Sequence, residues 1–196
     1  FDTEIIALES FVFGSLPALW FVDYFESALL MELSHLGYFS YYLIIPALGI
    51  PLYLKEDKES FERYFFSIIL AFLSCYIIYI VFPVSGPCYI FEQADVNNLS
   101  GYFFTDLSVA IHNSGSVRAA AFPSSHVTVA IVYLLYAREH SKKIYTVSVP
   151  VIGFLIFATF YAGYHFVVDA IAGVFMGYFI YAISKILFSK LKNQSG

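Results

Sequence analysis

Charge is what this sequence has least of. Asp, Glu, Lys and Arg make up 13% of its 196 residues, and 60% are hydrophobic, where a soluble domain is roughly a quarter charged. That shortage excludes an ordinary water-soluble globule and predicts an integral membrane protein with one domain, residues 1–196. Cysteine is scarce too. Cys75 in an apolar run and Cys88 in a loop can build neither a disulfide framework nor a four-ligand zinc site. Basic clusters are missing: the net charge is -5, and no group of Lys or Arg sits beside exposed aromatics, which excludes nucleic acid as a partner. No His, Cys and carboxylate set stands at metal-ligand spacing, so neither metal nor cofactor is expected.

What is present is long apolar runs. Spans are expected over 27–53, 65–82, 125–137, 144–160 and 166–188, since a crossing helix takes about 20 residues. Residues 3–22 are too interrupted to cross, with Glu4, Glu9, Gly14 and Pro17 among their apolar positions. They suit an interfacial helix, with Trp20 and Tyr24 as headgroup-level anchors. The fold class is therefore all-α: a polytopic membrane helix bundle of five transmembrane helices plus an N-terminal interfacial helix. The chain begins at Phe1 rather than Met, and a helix preceding it would make six spans. Residues 84–122 form one long non-spanning stretch, whose Tyr89, Phe91, Tyr102, Phe103 and Phe104 are expected to pack on the membrane face.

Basic residues give the orientation. With alternating spans, Lys55, Lys58, Arg63, Arg138, Lys142, Lys143, Lys185, Lys190 and Lys192 share one side, nine of the ten positive charges. That side, with the C-terminus, reads as cytoplasmic. Arg118 alone stands on the extracytoplasmic side, so the loop at about 84–122 is extracytoplasmic. Membrane lipids are the expected surroundings; the sequence carries no signal for an oligomeric state.

On Arg118's side lies Phe122-Pro123-Ser124-Ser125-His126, which opens an apolar helix. A helix start presents unpaired N–H groups and positive dipole, and small hydroxyls beside it suit an oxyanion. About forty residues on, His165 is followed four positions later by Asp169, one helical turn, on the same face. Alone, Ser124 or Ser125 reads as an N-cap, His126 as a capping or interface residue, and His165 with Asp169 as a structural hydrogen bond. Together, ionisable groups near membrane depth are costly and point to function. The set suits phosphoryl transfer in two steps. His165 attacks phosphorus with Asp169 fixing its tautomer, and His126 protonates the leaving oxygen. Arg118, Ser124, Ser125 and the helix-start donors bind the phosphate oxygens. His35 and Glu32 reach the site only if their helix packs beside it, and His112 and His140 read as loop and turn residues.

Phe122-Pro123-Ser124-Ser125-His126 resembles the Pro-Ser-x-His motif of the phosphatidic acid phosphatase type 2 superfamily. Tyr161–Gly173, YAGYHFVVDAIAG, resembles that family's third motif, and Phe82-Pro83-Val84-Ser85-Gly86-Pro87 the first-motif region of its inositolphosphorylceramide synthase-like branch. By matched position the resemblance implies His165 as nucleophile, Asp169 as its orienting partner, His126 as general acid, and Ser124 and Ser125 as phosphate ligands. It implies a membrane phosphatase acting on a lipid-linked phosphate or diphosphate through a phosphohistidine. The alternatives are a phosphotransferase that passes a phospho-headgroup to a lipid hydroxyl, and a catalytically silent lipid-binding relative. The departures are in charge. The family's Lys and Arg before the first-motif proline have no counterpart here, and Thr159 stands where the third motif carries an arginine. Either Tyr161, Tyr164 or Tyr89 helps a reduced phosphate site, or catalysis is lost.

Overall fold

The computed structural model describes residues 1–24, 27–55, 57–94, 100–115 and 117–195. Asp95, Asn97 and Asn98 of the long loop, Glu56, and the side chain of the expected anchor Tyr24 lie outside the described residues. Among the described residues, nine α-helices run in the order α1 (Asp2–Phe13), α2 (Pro17–Tyr24), α3 (Ala28–Phe39), α4 (Tyr41–Leu54), α5 (Lys58–Val81), α6 (Phe103–Gly115), α7 (Ser125–His140), α8 (Lys142–Tyr161) and α9 (Val167–Ser195). The described residues hold no strand, only an isolated parallel bridge between Val84 and Ala120.

The helix starts follow local chemistry. Ser27 Oγ accepts the Leu30 N–H, an Asp57 oxygen the Ser60 N–H, and Ser124 and Ser141 cap α7 and α8 in the same way. Among the described residues, four helical stretches are long and apolar enough to cross a bilayer: Ala28–Leu54 (α3 with α4), Lys58–Val81, Lys142–Tyr161 and Val167–Gln194. On α5, Ile69, Leu73, Ile77 and Ile80 are exposed at helical spacing, the apolar outer stripe that lipid would cover. The protein is an integral membrane helix bundle.

The fifth expected span differs in kind. α7 has 16 residues, about 24 Å of helix, short of a hydrocarbon core of about 30 Å. It runs through the middle of the bundle against α5, α8 and α9, with every residue from Val127 to Tyr133 buried. An apolar helix buried all round is a core helix. α9 lies close on it because Gly177 has no side chain. A Cβ there would sit 2.6 Å from Ile131 Cβ and 2.9 Å from the Thr128 carbonyl oxygen.

The N-terminal segment is two helices rather than the single one expected, with the break at Gly14 (φ 70°). Nor is α1 polar toward water throughout: Glu9 is fully buried. The loop at 84–122 contains α6, which packs on α3. Glu32 of α3 accepts N–H bonds from Tyr102, Phe104 and Thr105 at 2.9, 2.7 and 3.0 Å. Its carboxylate thus satisfies the orphan donors of the α6 start from outside that helix.

Candidate active site

The sequence motifs meet because α7 and α9 are packed neighbours whose starts lie at one end of the bundle. His126 is the second residue of α7, and His165 stands two residues before α9. Between α8 and α9 the chain reverses in a tight turn at Gly163, whose φ of 73° is left-handed and favours glycine. The turn is clamped: the His165 N–H bonds the Thr159 carbonyl at 3.0 Å, and the Cys88 N–H bonds the Gly163 carbonyl at 2.9 Å. Thr159 itself is buried, with its hydroxyl on the Ile156 carbonyl at 2.7 Å. It therefore offers nothing in place of an arginine.

The two imidazoles face each other with ring centroids 6.1 Å apart. His165 Nδ1 lies 3.0 Å from the Ala121 carbonyl oxygen. A carbonyl can only accept, so Nδ1 carries the proton and the neutral ring holds its lone pair on Nε2. That bond is the tautomer-fixing contact expected of Asp169. Asp169 is brought beside the ring, but its Oδ2 is 3.7 Å from Nδ1 and accepts the Phe166 N–H at 2.8 Å. The fully buried carboxylate acts on His165 through charge, and the Ala121 backbone supplies the hydrogen bond.

Both histidines line a cavity of about 590 Å³ with Ser125 and Arg118. Seven tyrosines share the lining: Tyr38, Tyr41, Tyr42, Tyr76, Tyr79, Tyr89 and Tyr164. Among the described lining residues Arg118 is the one Lys or Arg; its guanidinium carbon lies 5.5 Å from the Tyr89 ring centre. Ser124 is placed differently from expectation. It is fully buried, its Oγ accepts the Val127 N–H at 3.4 Å as an N-cap, and it does not line the cavity. Tyr161 is also buried away from the lining, whereas Tyr89 and Tyr164 belong to it.

Residues without a motif complete the wall. Tyr79 Oη donates to the Pro123 carbonyl at 2.9 Å and accepts the Ser125 N–H at 3.1 Å. It thereby locks the turn before α7. Tyr38 and Tyr41 pack on His126 as tilted rings with centroids at 4.6 and 4.3 Å, and Tyr38 Oη stands 3.4 Å from His126 Nδ1. His112, a loop residue in the sequence, lies on α6 with its ring 4.9 Å from Tyr89 and 5.7 Å from Tyr164. His35 and Glu32 stay behind the cavity wall. Buried His35 bonds the Met31 carbonyl through Nδ1 at 3.0 Å, so its Nε2 accepts the Tyr164 hydroxyl at 3.1 Å. These partners come from five separate segments, so helical periodicity could not group them; only the density of tyrosines hinted at an aromatic wall.

Among the described residues no three or more His, Cys, Asp or Glu are grouped to hold a metal ion. Electrostatically, the described lining offers one guanidinium, the three imidazoles of His112, His126 and His165, and the positive end of α7 to an anion entering a low-dielectric site. A sequence model described as the PAP2 superfamily matches residues 3–183. Among solved structures, that of LpxE from Aquifex aeolicus has a similar fold, with a TM-score of 0.56 and 21% identity over 93% of this chain and 93% of that one. No curated protein matches the chain significantly.

Proposed function

The chain belongs to the PAP2 superfamily, which makes it a phosphatase-type membrane enzyme, and we propose that it cleaves a lipid-linked phosphate or diphosphate through a phosphohistidine at His165. The observation that carries this reading is the meeting of two imidazoles, 6.1 Å apart, in one cavity, with the His165 lone pair on Nε2. In the first step Nε2 bonds to phosphorus as the phosphorus–oxygen bond to the lipid breaks. His126 gives the leaving oxygen its proton. Positive charge that develops on the His165 ring is stabilised by Asp169, 3.7 Å from Nδ1. Arg118 and the Ser125 hydroxyl hold the phosphoryl oxygens at the positive end of α7, where transition-state charge is spread. Ser124 serves the site as the cap that shapes α7. In the second step water attacks phosphorus, the bond to Nε2 breaks, and His126 takes the water's proton.

Sidedness follows from charge. The cavity lies at the α7 and α9 starts, and the opposite end carries the contacts of Lys185 with Glu139 and Lys192 with Glu59. Nine of the ten basic residues belong to that opposite end, which supports a cytoplasmic assignment for it and an extracytoplasmic cavity.

The test is release of phosphate by protein purified in detergent, on a panel of phosphatidate and polyprenyl diphosphate, with and without a lipid alcohol. Wild type should release phosphate and His165→Ala should release none. Equal inertness of both over the whole panel would overturn the proposal, and transfer to the alcohol in place of release would make the enzyme a phosphotransferase.

A further inference from the structure

Glu9 is a fully buried carboxylate in α1, far along the chain from every motif. Taking such a group out of water is costly unless donors surround it. Its donors are the first N–H groups of α9: Val167 N–H bonds Oε1 at 3.0 Å and Val168 N–H bonds Oε2 at 2.9 Å. With the Phe166 N–H on Asp169 Oδ2, three successive donors directly after His165 are held by the chain's own carboxylates. The α9 start is therefore already occupied by internal anions, and the phosphate is left to Arg118 and the Ser125 hydroxyl across the cavity. α1 also grips the opposite wall of the turn, where Asp2 Oδ1 accepts the Ser85 N–H at 2.7 Å.

We infer that Glu9 is a positioning residue for His165: it fixes the first turn of α9, and its negative charge offsets the positive end of that helix beside the nucleophile. The inference rests on the reading of His165 as nucleophile. A helix start carries about half a positive charge, which opposes charge on an imidazole two residues away. Two N–H groups, one on each oxygen, suit the ionised carboxylate; burial works the other way and pushes the Glu9 carboxyl above its ordinary range. Among the described residues the titratable groups around Glu9 are few. Asp169 faces it from α9 and His165 lies in the adjoining turn. The segment at 82–91 packs this cluster with Phe82, Val84, Ile90 and Phe91, all apolar, and Asp2 on α1 is tied to Ser85.

The experiment compares Glu9→Gln, Glu9→Asp and Ile5→Ala with wild type in phosphate release, over pH, with the phosphoenzyme trapped in parallel. Glu9→Gln removes the charge and turns an amide N–H toward a backbone N–H. It should lower kcat on the order of 10- to 100-fold, as misplacement of a reacting group does, with KM within about twofold. Its acidic limb of kcat/KM should move to lower pH, because a carboxylate charge that favours protonation of the groups around it is gone. Glu9→Asp keeps the charge but is one methylene short of both donors, so kcat falls while the limb stays. Ile5→Ala loosens the buried apolar face of α1 and should lower the melting temperature without moving the limb. Wild-type kcat in Glu9→Asp overturns the inference, as does a Glu9→Gln profile superimposable on wild type. If Glu9→Gln cannot be purified folded, Glu9→Asp decides alone. A wild type that neither releases phosphate nor forms a phosphoenzyme sinks the catalytic reading instead.

Discussion

Gly177→Ala puts one methyl group between the two helices that hold the imidazoles apart. The new carbon would lie 2.6 Å from Ile131 Cβ, 2.8 Å from its Cγ2 and 2.9 Å from the Thr128 carbonyl oxygen. Carbon atoms rest at about 3.5–4.0 Å, so α7 and α9 must part by about 1 Å. Neither Cβ nor backbone can swing aside. Overpacking of this kind costs about 1–3 kcal/mol, and the better helix propensity of alanine returns at most about 1 kcal/mol. A net loss of about 1–2 kcal/mol corresponds to a melting temperature lower by about 2–8 °C for a chain of this size. Because α7 carries His126 and α9 follows His165, the same shift should reduce turnover on the order of 100-fold. Gly153→Ala is the matched control: nothing lies within 4 Å of its added Cβ, so it should melt no lower than wild type. Thermal unfolding in detergent, followed by labelling of buried Cys75, and phosphate release read the two effects. A Gly177→Ala protein that melts and turns over like wild type would refute the claim that close α7–α9 packing sets the site.

Arg118→Ala should lower phosphate release far more than Lys142→Ala at the opposite end, because Arg118 is the one Lys or Arg among the described cavity-lining residues; equal rates would mean that the phosphate is held elsewhere. Tyr79→Phe should lower the melting temperature, since it strands the Pro123 carbonyl and the Ser125 N–H, each worth about 1–3 kcal/mol when buried and less where cavity water reaches it. An unchanged melting temperature would show that this turn holds itself.

Much of the architecture is legible in the sequence because lipid imposes simple rules. Long apolar runs mark the helices that are long and apolar enough to cross. The pairing of His126 with His165 is legible because each opens an apolar helix on the same side. What escapes is chemistry without a side-chain signature. The Ala121 carbonyl that fixes the His165 tautomer is backbone, and any residue could supply it. Ser124 and Ser125 are adjacent hydroxyls, and only the direction of the first turn of α7 makes one a cap and the other a cavity wall. Glu9 reads as an interruption in an apolar helix, and Glu32 as a residue that reaches the site only if its helix packs beside it, yet each neutralises the start of a helix distant in sequence. Such contacts have no period to detect.

The central claim is covalent. Wild type quenched during turnover of a phosphate-labelled lipid substrate should carry acid-labile, base-stable label, and peptide mapping should place it on His165. Label on another residue, or none while phosphate is still being released, would contradict the account.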